Sequence, residues 1–257
     1  MCLIIFAYNV HPAYRLILAA NRDEFYERPS LPVDFREGAS HVLAGRDLKG
    51  GGTWLGLTRE GKFAAITNYR DPAAFRTGAP SRGLLVSNYL TDSESAAFFS
   101  TKISRQSRKY NGFNLIFGDN KDFFIYSNRA EIQKLEPGIY GLSNRFLNSP
   151  WPKVIKGKKA MAAAMNYRGA DLEAALFAFL ADRKKVPANK LPSTGIGLEW
   201  ERLLSAVFID SPSYGTRSST VLLIGKNKRV RFVEKIFEGK KDPWLESRVS
   251  FLLDKGK

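Results

Sequence analysis

The sequence predicts an α+β domain in which strands pair as antiparallel hairpins and helices are grouped between them. Short runs of branched and aromatic residues come in pairs separated by turn residues, which is typical of hairpins. Segments with apolar residues at helical spacing lie between these pairs. This order favours layers of antiparallel sheet and helix over an alternating βαβ array. The chain has 257 residues, and we predict that residues 1–257 form one domain.

The first predicted hairpin pairs residues 2–8 with residues 15–20 across the turn at His11-Pro12. The polar segment that follows, 21–32, carries Pro29 and Pro32 and is predicted to be a loop. Each of the later hairpins also joins two short apolar runs across turn residues. Those later hairpins pair 53–58 with 62–68, 114–117 with 123–126, and 218–224 with 230–236.

Four segments are predicted to be helical because apolar residues recur on one face. A helix that runs through Phe99 and Ile103 is predicted to begin at Asp92, and the last helix at Asp171, because Asp is a favourable N-cap residue. The segment 186–197 contains two prolines and two glycines and is predicted to be a long loop. The bounds of the last helix are 171–183, and the two remaining helices are expected at 81–90 and 151–165.

The composition excludes several classes of protein. One cysteine is present, so neither an intrachain disulfide nor a zinc site with several cysteines can form. No apolar run approaches the roughly 20 residues of a membrane-spanning helix, and the first one has no basic residue before it, so we expect a cytoplasmic protein. The net charge of +15 favours acidic partners, but the basic residues are scattered and no nucleic-acid motif is present, so no nucleic-acid partner is expected.

Cys2 stands where removal of Met1 would leave a thiol and a free α-amine on the same residue. A free α-amine has a pKa of about 7.7–8.0, so it can act as a general base near neutral pH. A nucleophile that carries its own base needs no histidine, which suits a chain with two histidines. The alternative is that Cys2 is a small apolar residue at the start of a buried strand.

The segment Asn21-Arg22-Asp23-Glu24 follows the second strand of the first hairpin, so it returns close to the chain start. A guanidinium beside a thiol lowers the pKa of that thiol, and a carboxylate can hold the α-amine in place. The alternative for this segment is a solvated charged turn. Adjacent residues of an extended segment point to opposite sides, so the sequence leaves open whether Arg22 and Asp23 both reach Cys2.

Eight short blocks, in order along most of the chain, match the motifs of one known family. They are MCLI at 1–4, ANRDEFYERP at 20–29, GRD at 45–47, GGTWLG at 51–56, TNYR at 67–70, SRGLLV at 81–86, GLSN at 141–144 and TRSSTV at 216–221. On these blocks the chain resembles the NRDE family, also called the transport and Golgi organisation family. The stretch 94–108 and the tail after Gly239 carry no signature.

The resemblance implies a fold like that of the N-terminal-nucleophile hydrolases, similar to the choloylglycine hydrolase and penicillin V acylase group. That fold is a four-layer αββα sandwich, in which two antiparallel sheets lie between helical layers. The group's pattern of catalytic residues has counterparts here in the same order. These are Cys2, Arg22, Asp23, Asn68, Asn144 and Arg217.

The resemblance also implies roles for these residues. Cys2 would attack a carbonyl, its α-amine would move the proton, and Arg22 would stabilise the thiolate while Asp23 orients the amine. The Asn68 side chain would bind the oxyanion together with a backbone N–H. Asn144 would hold the amine or the substrate, and Arg217 would support the site. The alternative for each asparagine is a turn residue that bonds its own backbone.

Five further residues are expected to contact the substrate. Tyr69, Arg70 and Arg82 suit an anionic group at the rim of the pocket, although surface ion pairs are the alternative. Trp54 is expected in the core or in the pocket wall. No metal site is predicted. The full set is Asn21, Trp54, Tyr69, Arg70 and Arg82.

The leading hypothesis is a hydrolase that cleaves a linear, non-peptide amide or a related acyl bond through a Cys2 thioester and requires no cofactor. The alternative is a carrier of haem or of lipid and acyl-CoA that uses the same pocket, because the family is linked with both and a basic surface suits propionates and phosphates. Haem would then be cargo, with Cys2, His11 or His41 near the iron. A third hypothesis is a scaffold whose vestigial pocket binds a partner protein.

Overall fold

The computed structural model describes residues 3–238 and 242–254, and the chain divides into two compact units. Unit 1 holds Met1–Glu27 and Pro137–Phe251, and unit 2 holds Arg28–Glu136 and Leu252–Lys257. Each unit contains an antiparallel sheet that packs against helices, which confirms the predicted α+β class with two antiparallel sheets. The assignment of the whole chain to one domain stays a prediction.

The elements follow one another from the N-terminus. The strands are β1 (Leu3–Tyr8), β2 (Tyr14–Phe25), β3 (Ser30–Arg36), β4 (Ala39–Asp47), β5 (Leu55–Thr58), β6 (Phe63–Asn68), β7 (Phe113–Gly118), β8 (Phe123–Ser127), β9 (Gln133–Lys134), β10 (Gly138–Leu142), β11 (Tyr214–Gly225), β12 (Arg229–Ile236) and β13 (Leu245–Leu252). The helices are α1 (Gly83–Thr91), α2 (Ala96–Ser107), α3 (Pro152–Ala164), α4 (Gly169–Leu180) and α5 (Leu198–Leu203).

The sheet of unit 1 has the strand order β10-β1-β2-β11-β12-β13. Side chains of a strand alternate between the two faces of its sheet. In β1, Leu3, Ile5 and Ala7 pack with α3 and α4 in one apolar core, to which β2 and β11 also contribute. The intervening Ile4 and Phe6 are buried as well. Both faces of the central strands are therefore removed from water.

The sheet of unit 2 has the strand order β3-β4-β5-β6-β7-β8-β9, and α1 and α2 pack against it. An aromatic cluster lies at this contact, where Phe117 is 5.4 Å from Tyr89 and 5.0 Å from Phe99 between ring centroids. The Tyr89 hydroxyl donates to the Gly118 carbonyl at 2.8 Å. Burial raises the pKa of Tyr89 above its ordinary value, so this hydroxyl remains a donor.

Local contacts in unit 2 explain residue types in three of the sequence blocks. Arg28 makes a two-pronged bond to the Asp47 carboxylate, at 3.1 Å from Nε and 2.7 Å from Nη2. Gly52 lies against the start of α1, where an added Cβ would be 2.3 Å from the carbonyl carbon of Gly83. Gly52 therefore allows a close backbone approach that a side chain would prevent.

The four predicted hairpins are present, but β2 is longer than predicted. It continues through Phe25, so Asn21, Arg22 and Asp23 belong to a buried strand, and the prediction of a loop from 21 onward was wrong. Polar residues can occupy this strand because β11 pairs along its whole length and partners satisfy their side chains. The predicted long loop at 186–197 contains only a short 3-10 turn.

Two predicted helix caps were wrong. Asp92 ends α1, and Ser95 caps α2 by accepting a bond from the backbone N–H of Phe98 at 3.2 Å. Asp171 lies in the first turn of α4 and the N-cap position is Arg168. An acidic side chain in the first turn still interacts favourably with the helix dipole. Among the described residues, no helix is long and apolar enough to cross a membrane.

His11 lies in the turn between β1 and β2, as expected, and its side chain is buried. Its Nδ1 accepts hydrogen bonds from the backbone N–H groups of Ala13 and Tyr14, at 3.0 and 3.2 Å. Burial lowers the pKa of His11 below 6.5, and the charge of Arg168 acts in the same direction. The folded state therefore favours the neutral imidazole, which can act as this acceptor.

Lowering the pH should destabilise the fold through His11. Because the folded pKa lies below the unfolded value, the unfolded chain binds the proton first, and stability falls as the pH drops through about 6.5 toward the folded pKa. His11→Asn keeps an acceptor for the two N–H groups but cannot titrate. Urea unfolding at about pH 7.5 and about pH 5.5 should therefore show a smaller loss of stability for His11→Asn than for the parent.

His41→Asn is the matched control, and it should keep the pH dependence of the parent chain. If His11→Asn lost as much stability on acidification as the parent does, the buried imidazole would not be the group responsible.

Candidate functional site

The candidate site lies at one end of the unit 1 sheet, where four neighbouring strands line up. β1 lies between β10 and β2, and β11 pairs with the other edge of β2. Leu3 pairs with Asn21, which in turn pairs with Ser219, and Ile4 pairs with Leu142. The polar residues just beyond these pairs are Asn144 after β10, Arg22 on β2 and Ser218 on β11.

Cys2, the predicted nucleophile, lies outside the described residues. It precedes Leu3 in the sequence. The described part of the candidate site is therefore taken as the set of groups near Leu3 at this end of the sheet.

Asn21 is fully buried and every strong bonding position of its amide is occupied by the protein itself. Its Nδ2 donates to the carbonyls of Leu180 and Val207, at 2.9 and 2.8 Å, and its Oδ1 accepts from the Ser219 hydroxyl at 2.7 Å. These bonds tie β2 to the end of α4 and to β11. The bonds give Asn21 an architectural role, and its predicted contact with substrate stays a prediction.

Asp23 lies on the same face of β2 as Asn21, because the two residues are two apart on one strand. Its Oδ1 accepts from the Thr216 hydroxyl at 2.7 Å, and that hydroxyl oxygen accepts from the backbone N–H of Ile209 at 2.9 Å. The direction of the Thr216 O–H is thus fixed toward the carboxylate. Asp23 is 3% exposed, so the Thr216 hydroxyl gives this buried carboxylate a hydrogen-bond donor.

Arg22 faces the opposite side of the sheet from Asp23, as expected for adjacent residues on a strand. It is 4% exposed and pairs across the sheet with Ser218. The sequence left open whether both charged groups reach one point. The structure brings their backbones together but directs their side chains to different faces.

Arg217 is the extra residue of a β-bulge in β11, because Thr216 pairs with Asp23 while Ser218 pairs with Arg22. In a regular strand Thr216 and Ser218 would share a face. The bulge turns Thr216 toward Asp23 and Ser218 toward the face of Arg22. Arg217 Nη1 donates to the carbonyls of Phe25 and Tyr26 at 3.1 and 2.7 Å, which holds the end of β2 in place. Its supporting role in the site stays a prediction.

Ser218 is a residue that the sequence reasoning did not single out. Its hydroxyl is buried and has no hydrogen-bond partner within the part of the chain that the structure describes. A buried polar group without a partner costs about 1–3 kcal/mol, so such a group suits a site where a ligand supplies the bond. The only sequence signal was its place in the TRSSTV block.

Asn144 lies just after β10, next to the strand that begins at Leu3. It is 5% exposed, and the neighbouring Ser143 hydroxyl lies 3.5 Å from its Oδ1, a long contact. Asn144 is thus buried at the edge of the candidate site, and its role there stays a prediction.

The other predicted site residues lie in unit 2. The backbone N–H of Tyr69 and the Nη1 of Arg82 both donate to the carbonyl of Gly112, at 2.9 and 3.0 Å, so 68–70 and the start of α1 meet at this carbonyl. Tyr69 is buried, and Asn68, at the end of β6, is exposed. An exposed Asn68 amide is accessible to a ligand.

Trp54 and Arg70 complete the unit 2 group. Trp54 is 8% exposed, and its ring packs over Gly45, where an added Cβ would lie 2.6 Å from the ring. The GRD block therefore needs its glycine because the indole occupies the space of a side chain. Arg70 is half-buried beside Tyr69. Within 3–238 and 242–254, no group of His, Asp or Glu side chains could hold a metal ion.

The sequence profile of the family described as Transport and Golgi organisation 2 matches residues 1–239. The chain belongs to this family. This confirms the resemblance drawn from the eight sequence blocks, and the roles of the individual site residues stay predictions.

Animal members of the Transport and Golgi organisation 2 family are similar over nearly their whole length. A Bos taurus protein named Transport and Golgi organization protein 2 homolog is 42% identical over 261 residues, covering 93% of this chain and 94% of that protein. The Homo sapiens protein of the same name is 40% identical, with 91% and 92% covered. Transport and Golgi organization protein 2 of Drosophila melanogaster is 29% identical, with 93% of each chain covered.

Among solved structures, the chain is similar to the Caenorhabditis elegans N-acylethanolamine-hydrolyzing acid amidase (NAAA) ortholog. The TM-score is 0.44 at 13% sequence identity, and the superposition covers 86% of this chain and 92% of that chain.

Thr216→Val should destabilise unit 1, because it removes both the donor to Asp23 and the acceptor for the Ile209 N–H. Each buried group left without its bond costs about 1–3 kcal/mol, so the free energy of unfolding should fall by about 2–4 kcal/mol. Thr216→Ser keeps the hydroxyl and should lose much less. Urea unfolding of the two variants measures the difference, and equal losses would show that packing of the methyl group, rather than the relay of bonds, matters at this position.

Proposed function

We propose that this chain is an N-terminal-cysteine hydrolase that cleaves a non-peptide amide or a related acyl bond in a small molecule. Cys2, exposed when Met1 is removed, would be the nucleophile. The observation that carries the proposal is the buried polar cluster around Leu3: Arg22, Asp23, Asn144 and Arg217 lie at the end of the sheet where β1 begins. Burying polar groups is costly unless hydrogen bonds compensate, so a cluster of them at one end of a sheet marks a candidate functional site.

The chemistry would proceed in two steps. The free α-amine would first take the proton of the Cys2 thiol. The resulting thiolate would attack the substrate carbonyl carbon, and the carbonyl oxygen would become an oxyanion. Collapse would break the C–N bond, with the α-ammonium returning its proton to the leaving amine, and would leave a thioester on Cys2. Water, deprotonated by the same amine, would then release the acid and the free thiol.

The two charged residues of β2 would serve different parts of this reaction. Arg22 and Asp23 face opposite sides of the sheet, so one can act on the thiolate and the other can hold the α-amine or the strand ends. A buried guanidinium stabilises a nearby thiolate strongly because the local dielectric is low. The role of Asn68 as a donor to the oxyanion stays a prediction from the family resemblance, because this residue belongs to unit 2.

Ser218 would contact the substrate rather than the nucleophile. β11 is two strands away from β1, and neighbouring strands are about 4.8 Å apart, so Ser218 lies roughly 10 Å from β1 across Arg22. Its hydroxyl can donate to a polar atom of the acyl or amine part of the substrate. This would satisfy a group that otherwise has no partner among the described residues.

The second candidate is a cytoplasmic carrier of haem or acyl-CoA that uses the same pocket. The net charge of +15 favours such anionic cargo. His11 does not suit iron ligation, because its Nδ1 already accepts two backbone N–H groups inside a buried turn. The hydrolase is preferred because the buried charges of β2 serve bond cleavage directly.

The hydrolase proposal predicts a processed and reactive N-terminus. Cys2 is the single cysteine of the chain, so any thiol label reports on it alone. Intact mass before and after iodoacetamide at neutral pH should show loss of methionine and labelling faster than that of a free cysteine peptide. Retained methionine with slow labelling would contradict the proposal. Cys2→Ser should fold normally, take no label, and lose turnover of whichever amide or thioester the parent hydrolyses in a substrate screen.

Arg22→Gln should slow the labelling of Cys2 at neutral pH by roughly tenfold, because losing a nearby positive charge raises the thiol pKa by about one unit. Arg22→Lys keeps the charge and should retain most of the rate. Arg15→Gln, seven residues earlier on the same strand, is the matched control and should label like the parent. Labelling of Arg22→Gln at the parent rate, in a variant that still unfolds cooperatively, would remove Arg22 from the proposed site.

A further inference from the structure

A cleft in unit 2 is lined by positive charge and aromatic side chains that the candidate site does not use. Its volume is about 690 Å³, within the range of roughly 300–1,000 Å³ that is typical of small-molecule sites. Residues from the segment after β6, from the end of α2 and from the end of β8 form its walls. Those that matter here are Phe75, Arg76, Arg108, Tyr110, Asn128 and Arg129.

The lining carries three arginines, and none of the described residues that line it is acidic. Asp71, which lies outside the lining, pairs with Arg129 at 3.1 Å, but both side chains are about one-third exposed, at 33% and 32%. An exposed ion pair of this kind contributes little and can be exchanged for a ligand. The cleft therefore has an excess of at least two positive charges for an anion to neutralise.

Arg76 is held in place before any ligand binds. Its backbone N–H donates to Asn111 Oδ1 at 2.8 Å, and its carbonyl accepts from Asn111 Nδ2 at 2.9 Å. Its Nη2 donates to the carbonyls of Arg108 and Tyr110, at 2.9 and 2.8 Å. Fixing the guanidinium in advance lowers the entropy that a ligand must lose on binding, and the other N–H groups of Arg76 have no bond to a described residue.

Phe75 stands at the edge of this cleft with 64% of its surface exposed. Its neighbour in the chain is the clamped Arg76, so its backbone is held although its ring faces water. An exposed aromatic ring beside cationic groups is a platform on which a planar base can stack. The exposure of Phe75 has no explanation in the packing of unit 2.

We propose that this cleft binds a nucleoside diphosphate, with its phosphates on Arg76, Arg108 and Arg129 and its base on Phe75. Guanidinium groups match the geometry of phosphate oxygens in two-pronged bonds, and three of them suit two linked phosphates better than one carboxylate. Tyr110 and Asn128 complete the walls. The site uses none of the residues assigned to Cys2 chemistry, so its test is independent of the test of the hydrolase proposal.

Calorimetric titration of the full chain with ADP at about 0.15 M salt tests the proposal, since surface electrostatics are strongly screened there. ADP should bind with 1:1 stoichiometry and more tightly than pyrophosphate or adenosine. Arg108→Gln should weaken ADP binding roughly tenfold, the effect of losing about 1.4 kcal/mol from one charge-assisted contact. Arg105→Gln is the matched control: it removes the same charge one turn earlier on α2, outside the lining, and should bind ADP like the parent.

Phe75→Ala separates the base from the phosphates. It should weaken ADP several-fold and leave pyrophosphate unchanged, because only the base would stack on the ring. Cys2→Ser should bind ADP like the parent. No ADP binding, or equal weakening by Arg108→Gln and Arg105→Gln, would overturn the site as nonspecific attraction to a basic surface. Equal affinity for ADP and pyrophosphate, unaffected by Phe75→Ala, would overturn the nucleoside assignment.

Discussion

The buried amide of Asn21 holds together the elements on which the candidate site depends. It bonds to the last residue of α4, to the carbonyl of Val207 and to the hydroxyl of Ser219 on β11. Breaking any of these leaves a buried polar group unpaired, at about 1–3 kcal/mol each, so β2 is fixed relative to all three. Because Arg22 and Asp23 follow directly on the same strand, the bonds of the Asn21 amide also fix their positions. The first residue of the Asn-Arg-Asp-Glu motif at 21–24 thus has a side chain that holds the surrounding elements together.

The β-bulge at Arg217 provides the second constraint. A strand without it would direct Thr216 and Ser218 to one face, and one of the two charged residues of β2 would lose its polar neighbour. With the bulge, Thr216 serves Asp23 on the helix side, while Ser218 lies with Arg22 on the other face. Arg217 also uses its side chain to hold the carbonyls of Phe25 and Tyr26, so it stabilises the turn that its own insertion requires. The bulge in β11 therefore gives both adjacent residues, Arg22 and Asp23, a polar neighbour on the face to which each side chain points.

Short runs of branched and aromatic residues were enough to predict the paired strands at 53–68, 114–126 and 218–236, because both partners are local and their turns carry recognisable residues. The same reasoning ended β2 too early, since the polar side chains of Asn21 and Asp23 look solvated until their distant partners Leu180, Val207 and Thr216 are known. Strands β3 and β4 were not predicted. The first of them contains Pro32, which suggested a loop, but β3 lies at the edge of its sheet, where a proline is tolerated. Of the site, the sequence predicted the residue types and their order, but the faces to which they point depend on the bulge, which has no local signature.

The sequence also does not show which basic residues come together in the folded chain. In the sequence, Arg76, Arg108 and Arg129 are separated by more than twenty residues each and read as part of a scattered basic surface. In unit 2 they line one cleft, because Asn111 clamps the segment around Arg76 against the turn that follows α2. A net charge of +15 indicates only that the whole protein attracts anions. Three guanidinium groups that line one cleft, without a carboxylate in the described lining, define a place where an anion could bind. Whether basic residues are a solvated surface or a binding site is decided by such convergence, and neither composition nor the length of a basic run contains that information.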